Sequence, residues 1–147
     1  MAQAQKQVRI IEPLERFVNR INLVGCYARV SSDSEDQLNS YNNQVDFYES
    51  YVNSLENSKL VKIYTDEGIT GTRMDKRDGF LQMIEDCRKG LINTIITKSI
   101  SRFARNITET LSVVRELKSI GVSVYFMTEK IDTAKMGSEM MLAVYAA

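Results

Sequence analysis

"INLVGCYARVSSDSED", residues 21–36, is the stretch on which the fold turns. Residues 21–30 read as a strand. Where the apolar run ends, Arg29 stands two positions before the first of a serine pair, Ser31 and Ser32, and acids and helix-capping residues follow. A strand that runs into a helix is the repeating unit of an α/β sheet. In such sheets ligands gather outside the carboxyl ends of the strands. An arginine there points to a phosphate or a carboxylate. A serine beside it points to a helix cap or to a nucleophile.

The alternation continues downstream. Residues 35–57 read as a long helix, with Leu38, Tyr41, Val45, Tyr48, Val52 and Leu55 three and four apart on one stripe. Ser34 and Gln37 form a capping box ahead of it. Residues 60–66 read as a strand. Residues 79–90 read as a helix with Phe80, Ile84 and Cys87 on one face and Gly90 as its stop. Residues 91–97 are a buried strand. Asn106 and Glu109 cap a helix over 107–119, and 122–127 is a strand after Gly121. These elements predict an α/β fold: a mostly parallel sheet of four to five strands with helices on both faces. Residues 1–20 are set apart as an arm that holds the only proline, Pro13, and the cations Lys6, Arg9, Arg16 and Arg20. The last segment, 138–147, reads as an apolar helix with no stop signal, which suggests a helix cut short.

Composition narrows the chemistry. The chain has 147 residues, enough for one domain, with 44% hydrophobic and 26% charged residues. Nineteen basic residues balance nineteen acidic ones, so DNA binding must come from a local patch. There is no histidine, which excludes Ser-His and Cys-His mechanisms and His-ligated metal sites. Cys26 and Cys87 belong to no CxxC pair and are expected as buried thiols. No run is apolar enough to span a membrane, and no signal peptide is evident. A cytoplasmic protein is the plain expectation.

The predicted strand ends collect Arg29, Ser31, Lys98, Arg102 and Arg105 at one edge, within reach of a loop that holds Arg73, Lys76 and Arg77. Guanidinium forks around a hydroxyl match phosphate oxygens and would stabilise a pentacoordinate transition state. Singly, each residue has an ordinary explanation. Arg29 is a strand-end surface arginine. Ser31 and Ser32 are linker and cap residues. Arg102 and Arg105, three apart, share a solvated helical face. A phosphate- or nucleotide-binding module without catalysis is the competing reading. It would need a glycine-rich loop after the first strand, where the sequence places acids.

Taken together, "YARVSS", "YTDEGITGT…KRDGF", "TKSISRFARN" and "GSEMMLAVYAA" resemble the catalytic domain of serine site-specific recombinases, the resolvase/invertase family. The wording "DEGITGT" and "ISRFARN" is similar to the large members, which include phage integrases and transposon recombinases. The resemblance covers residues 21–147. It implies a serine that attacks a DNA phosphodiester to give a 5′-phosphoserine and a free 3′-hydroxyl. Four subunits would then exchange and religate two duplexes, with no metal, ATP or other cofactor. Partners implied are double-stranded DNA and further copies of the chain, as dimer and tetramer.

Carried over by position, the resemblance makes Ser31 the nucleophile and Arg29 the arginine two residues before it. Arg77 follows the mobile loop, and Arg102 and Arg105 grip the scissile phosphate. Arg77, Arg102 and Arg105 are thus the DNA-contacting set, with Gln44, Lys98 and Ser101 in supporting places. Ser101 departs from the aspartate that many small resolvases carry there. The family's long helix would continue beyond residue 147, with a further glutamate on that continuation, and the DNA-binding region would lie beyond residue 147.

Overall fold

A computed structural model describes residues 20–31, 34–68 and 77–146, with the side chains of 31–40, 68 and 146 left aside. Ten elements follow in order: β1 (Asn22–Ser31), α1 (Ser34–Asn53), β2 (Ser58–Gly68), α2 (Asp78–Arg88), β3 (Thr94–Thr97), α3 (Ile100–Phe103), α4 (Ile107–Ser119), β4 (Ser123–Phe126), β5 (Ile131–Asp132) and α5 (Ser138–Ala146). The strands form one sheet in the order β2-β1-β3-β4-β5. The first four pair in parallel, and β5 returns antiparallel to β4. This is the expected α/β sheet with helices on both faces.

Side-chain alternation along β1 builds two cores. Tyr27 faces one, with Phe80, Met83, Ile84 and Cys87 of α2, Val114 and Leu117 of α4, and Leu142 of α5. Val24, Cys26 and Ala28 face the other, under Tyr48 and Val52 of α1. Both thiols are buried, as expected. Gly25 leaves room on the Tyr27 face: a Cβ there would lie 2.6 Å from Ile92 Cδ1, which would have to shift. Next to it the β1–β2 register shifts, between Val24 and Gly25. Helix α5 docks through Leu142 and an Arg115–Glu139 ion pair at 2.9 Å. It leaves Met140, Val144 and Tyr145 exposed at 74%, 68% and 57%.

Several boundaries differ from the sequence reading. Helix α1 stops at Asn53 rather than 57. Ser54 Oγ turns back onto Tyr51 O at 2.6 Å, and Asn57 takes a left-handed φ of 53° before β2. Asn tolerates that region because its side chain bonds locally, but without Gly or Pro the sequence carries no plain stop. The stripe on α1 is buried at Tyr48 and Val52, whereas Tyr41 and Leu55 are exposed. The side chains of Ser34, Gln37 and Leu38 lie outside the described set. Strand β3 is shorter than 91–97. Asn93 is drawn off as a bracket that accepts Leu23 N at Oδ1 (2.9 Å) and Ser123 N at its carbonyl (3.2 Å). Helix α3 is a single turn over Ile100–Phe103, and β5 supplies the fifth strand, for which the sequence reading gives no residues.

Candidate active site

Strand β1 outruns its neighbour. β3 ends at Thr97, opposite Tyr27, while β1 continues along β2 until Ser31 stands beside Gly68. The last residues of β1 therefore present backbone groups with no strand on the β3 side, and such groups need other partners. Two side chains supply them. Gln44 Nε2 of α1 and Arg102 Nη1 of α3 both donate to the carbonyl of Arg29, at 3.3 and 3.4 Å. One turn further along α1, Tyr48 donates to the carbonyl of Tyr27 at 3.2 Å. The strand end bearing Arg29 and Ser31 is thus held between α1 and the arginine turn. The Ser31 side chain, Ser32, Arg73 and Lys76 fall outside the described set.

Arg102 and Arg105 do not share a helical face, contrary to the sequence reading. Helix α3 ends at Phe103, and Ala104 is extended (φ −145°, ψ 159°). The next helix begins directly after it: Asn106, itself extended, caps α4 by accepting Glu109 N at 2.8 Å. Both arginines remain exposed at this edge. The expected return bond of the capping box is displaced by one residue, since Glu109 Oε2 accepts Arg105 N at 3.2 Å. Ser101 is exposed with its hydroxyl 3.1 Å from that of Ser99. Lys98 is exposed at the end of β3, on the wall of a groove of about 360 Å³ shared with Gln44, Phe47 and Met127.

Arg77 lies beneath this edge. Nη1 pairs with Glu109 Oε1 at 3.0 Å, and Nη2 donates to the carbonyl of Phe103. The guanidinium carbon sits 3.8 Å from the Phe80 ring centroid. The side chain is 13% exposed. Arg77 therefore braces the arginine turn from below and joins α2 to α3 and α4.

Asp66 and its partner Tyr27 are not singled out as site residues by the sequence. Asp66, at the end of β2 and 8% exposed, accepts Tyr27 OH at 2.7 Å, Gly79 N at 2.8 Å and Phe80 N at 3.0 Å. It caps α2 from another strand, since Arg77 at the N-cap offers no side-chain bond of its own. Gly79 permits this approach: a Cβ there would meet Thr65 O at 2.4 Å. Burial first, and then the bond to Asp66, push the Tyr27 phenol up to about 12, so it stays a neutral donor. The available signal was an acid where β2 ends, ahead of the helix that begins "RDGF".

Among the described residues, no group of three His, Cys, Asp or Glu could hold a metal ion, and no helix is long and apolar enough to cross a membrane.

The family model for the resolvase N-terminal domain matches residues 24–147. The transposon Tn552 resolvase of Staphylococcus aureus is 30% identical over 129 residues, covering 82% of this chain and 55% of that protein. The chain thus spans about half the length of the curated relatives it matches. Among solved structures, a resolvase family site-specific recombinase from Streptococcus pneumoniae is 25% identical with a TM-score of 0.69, covering 85% of each chain. The N-terminal catalytic domain of TP901-1 integrase is 20% identical with a TM-score of 0.56, covering 82% of this chain and 88% of that one, and shares the fold.

Proposed function

The chain belongs to the resolvase family, whose N-terminal domain it carries, and on that premise we propose that it cuts and rejoins DNA in site-specific recombination with Ser31 as nucleophile. Ser31 Oγ attacks a backbone phosphorus. The P–O3′ bond breaks as the Oγ–P bond forms, leaving a 5′-phosphoserine and a 3′-hydroxyl. The serine loses its proton and the 3′-oxygen gains one. One phosphodiester is exchanged for another, so a 3′-hydroxyl can attack in reverse and restore the strand without an external energy source. Arg102 and Arg105 take the non-bridging oxygens, where charge builds in the transition state. Arg29 stands two residues before the nucleophile, and Arg77 holds the turn that carries Arg102.

The observation that carries this reading is Arg102 Nη1 on the Arg29 carbonyl, at 3.4 Å, two residues ahead of Ser31. It brings an arginine from a distant turn to the end of the strand that bears the serine. Double-stranded DNA is the substrate. Further copies of the chain are the partners, supported by the exposed apolar side of α5 at Met140, Val144 and Tyr145.

The test is covalent trapping. The chain is fused to a sequence-specific DNA-binding module and incubated with labelled duplexes that carry a randomised core between two module sites. A denaturing gel then reads protein–DNA adduct. The expected result is an adduct lost in Ser31→Ala and kept in Ser32→Ala. An adduct that survives Ser31→Ala and disappears in Ser32→Ala moves the nucleophile by one residue. No adduct on a duplex that is demonstrably bound refutes the reading.

A further inference from the structure

Helix α3 is four residues long, too short to be held by its own hydrogen bonds. Its N-cap Ser99 is extended and makes no capping bond, with its hydroxyl turned to Ser101 instead. The cap comes from elsewhere. Glu129 Oε1 accepts Ile100 N at 3.2 Å from 29 positions away. Glu129 stands in the turn between β4 and β5, beside Lys130 with its left-handed φ of 56°. The backbone leads it there. Beyond the β3–β4 ladder, Met127 N reaches Thr97 O at 3.0 Å and Thr128 N reaches Lys98 O at 2.8 Å. The two chains thus run side by side up to the carboxylate.

The second oxygen, Glu129 Oε2, is buried and has no hydrogen-bond partner among the described residues. A carboxylate oxygen kept from water without a partner works against stability. What the carboxylate secures is the start of α3. The anion sits at the positive end of α3. That turn carries Arg102, whose guanidinium reaches the end of β1.

We propose that Glu129 is a positioning residue for Arg102: it caps α3 from the β4–β5 turn and so sets where the guanidinium meets the scissile phosphate. The inference rests on the reading of Arg102 given above. Without the carboxylate, Ile100 N loses its acceptor and α3 is free to shift. A displacement of about 1 Å in such an element can slow chemistry about a hundredfold.

The test uses the same fusion and trapping assay with Glu129→Ala, Glu129→Gln, Arg102→Ala and the double variant Glu129→Ala/Arg102→Ala. Glu129→Ala should bind the duplex as the unaltered chain does yet form adduct about tenfold to a hundredfold more slowly. Glu129→Gln keeps an oxygen for Ile100 N and should stay within about threefold. In the double variant the two losses should fall well short of multiplying, because both act through one group. Three outcomes overturn the proposal: Glu129→Ala reacting at the unaltered rate, Gln failing as badly as Ala, or the losses multiplying in full. Should Glu129→Ala not fold, amide exchange at Ile100 in the unaltered chain decides. Slowed exchange is expected, and exchange at the rate of an unprotected amide overturns the proposal. If the unaltered chain forms no adduct, it is the Ser31 reading that falls, while exchange at Ile100 still judges the cap.

Discussion

Replacing Asp66 by alanine should be among the most damaging single changes outside the apolar core. Its carboxylate accepts from Tyr27 OH, Gly79 N and Phe80 N at 2.7, 2.8 and 3.0 Å, and the residue is 8% exposed. Hydrogen bonds to a charged acceptor contribute about 1.5–3 kcal/mol each, so three give a gross loss of about 4–9 kcal/mol. Removing a buried carboxylate also removes its desolvation cost, and water can reach part of the gap, so the net cost should be about 3–5 kcal/mol. Against a typical domain stability of about 5–15 kcal/mol, that leaves the fold marginal. Asp66→Asn keeps one acceptor but turns an NH₂ toward a donor, and should cost about 2 kcal/mol. Urea unfolding followed by tyrosine circular dichroism measures both, since the chain has no tryptophan. A local signature accompanies the global one. In Asp66→Ala the Tyr27 phenol should titrate below its raised value of about 12, because the bond and the charge of Asp66 that help to raise it are gone. Asp66→Ala within about 1 kcal/mol of the parent would refute the claim that this carboxylate ties β1, β2 and α2 together.

Two further outcomes are expected. Phe103 is fully buried and packs edge-on against Phe80 and Phe126, with centroids 5.2 and 5.4 Å apart, so Phe103→Ala should lower stability by about 3–5 kcal/mol in the same urea assay. Stability should also fall at alkaline pH. Burial raises Cys26 and Cys87 from 9.0, and Tyr27 from 10.0, each to about 12, and raises Tyr48 further. Between the ordinary and raised values the native state keeps protons that the unfolded state has released. The stabilisation is therefore complete below pH 9 and is lost as pH rises toward 12. A urea midpoint that stays level from pH 9 to pH 11 would contradict this.

The sheet was legible because its strands are short apolar runs separated by helical stripes, and both signals are local. Ser31 was placed correctly at the end of β1 for the same reason. What escaped was set by contacts distant in sequence. Helix α3 is a single turn without a periodic pattern and exists where Glu129 caps it. Strand β5 is two residues long. Arg102 and Arg105 have helical spacing, but α3 ends at Phe103 and the chain is extended at Ala104 between them. Arg77 reads in sequence as one more cation of a basic loop. Its burial on Phe80 and its bonds to Glu109 and Phe103 needed α2, α3 and α4 to be assembled first.

The same contacts explain how a chain with equal numbers of acids and bases can present cations at one edge. Three carboxylates lie close to the arginine turn, and each is directed at backbone N–H groups. Asp66 takes Gly79 and Phe80 at the start of α2, Glu129 takes Ile100 at the start of α3, and Glu109 takes Arg105 ahead of α4. Negative charge is favourable at these helix starts, where backbone donors lack partners. Among the described residues, Glu109 also pairs with a guanidinium, that of Arg77, whose side chain is 13% exposed. Local anions are thereby spent on fixing the backbone beneath Arg102 and Arg105. Net charge is therefore a poor guide to what such an edge binds. The arginines at this edge are held by anchors on β2, α4 and the β4–β5 turn, so on the proposed reading their positional accuracy depends on residues outside the phosphate-binding set.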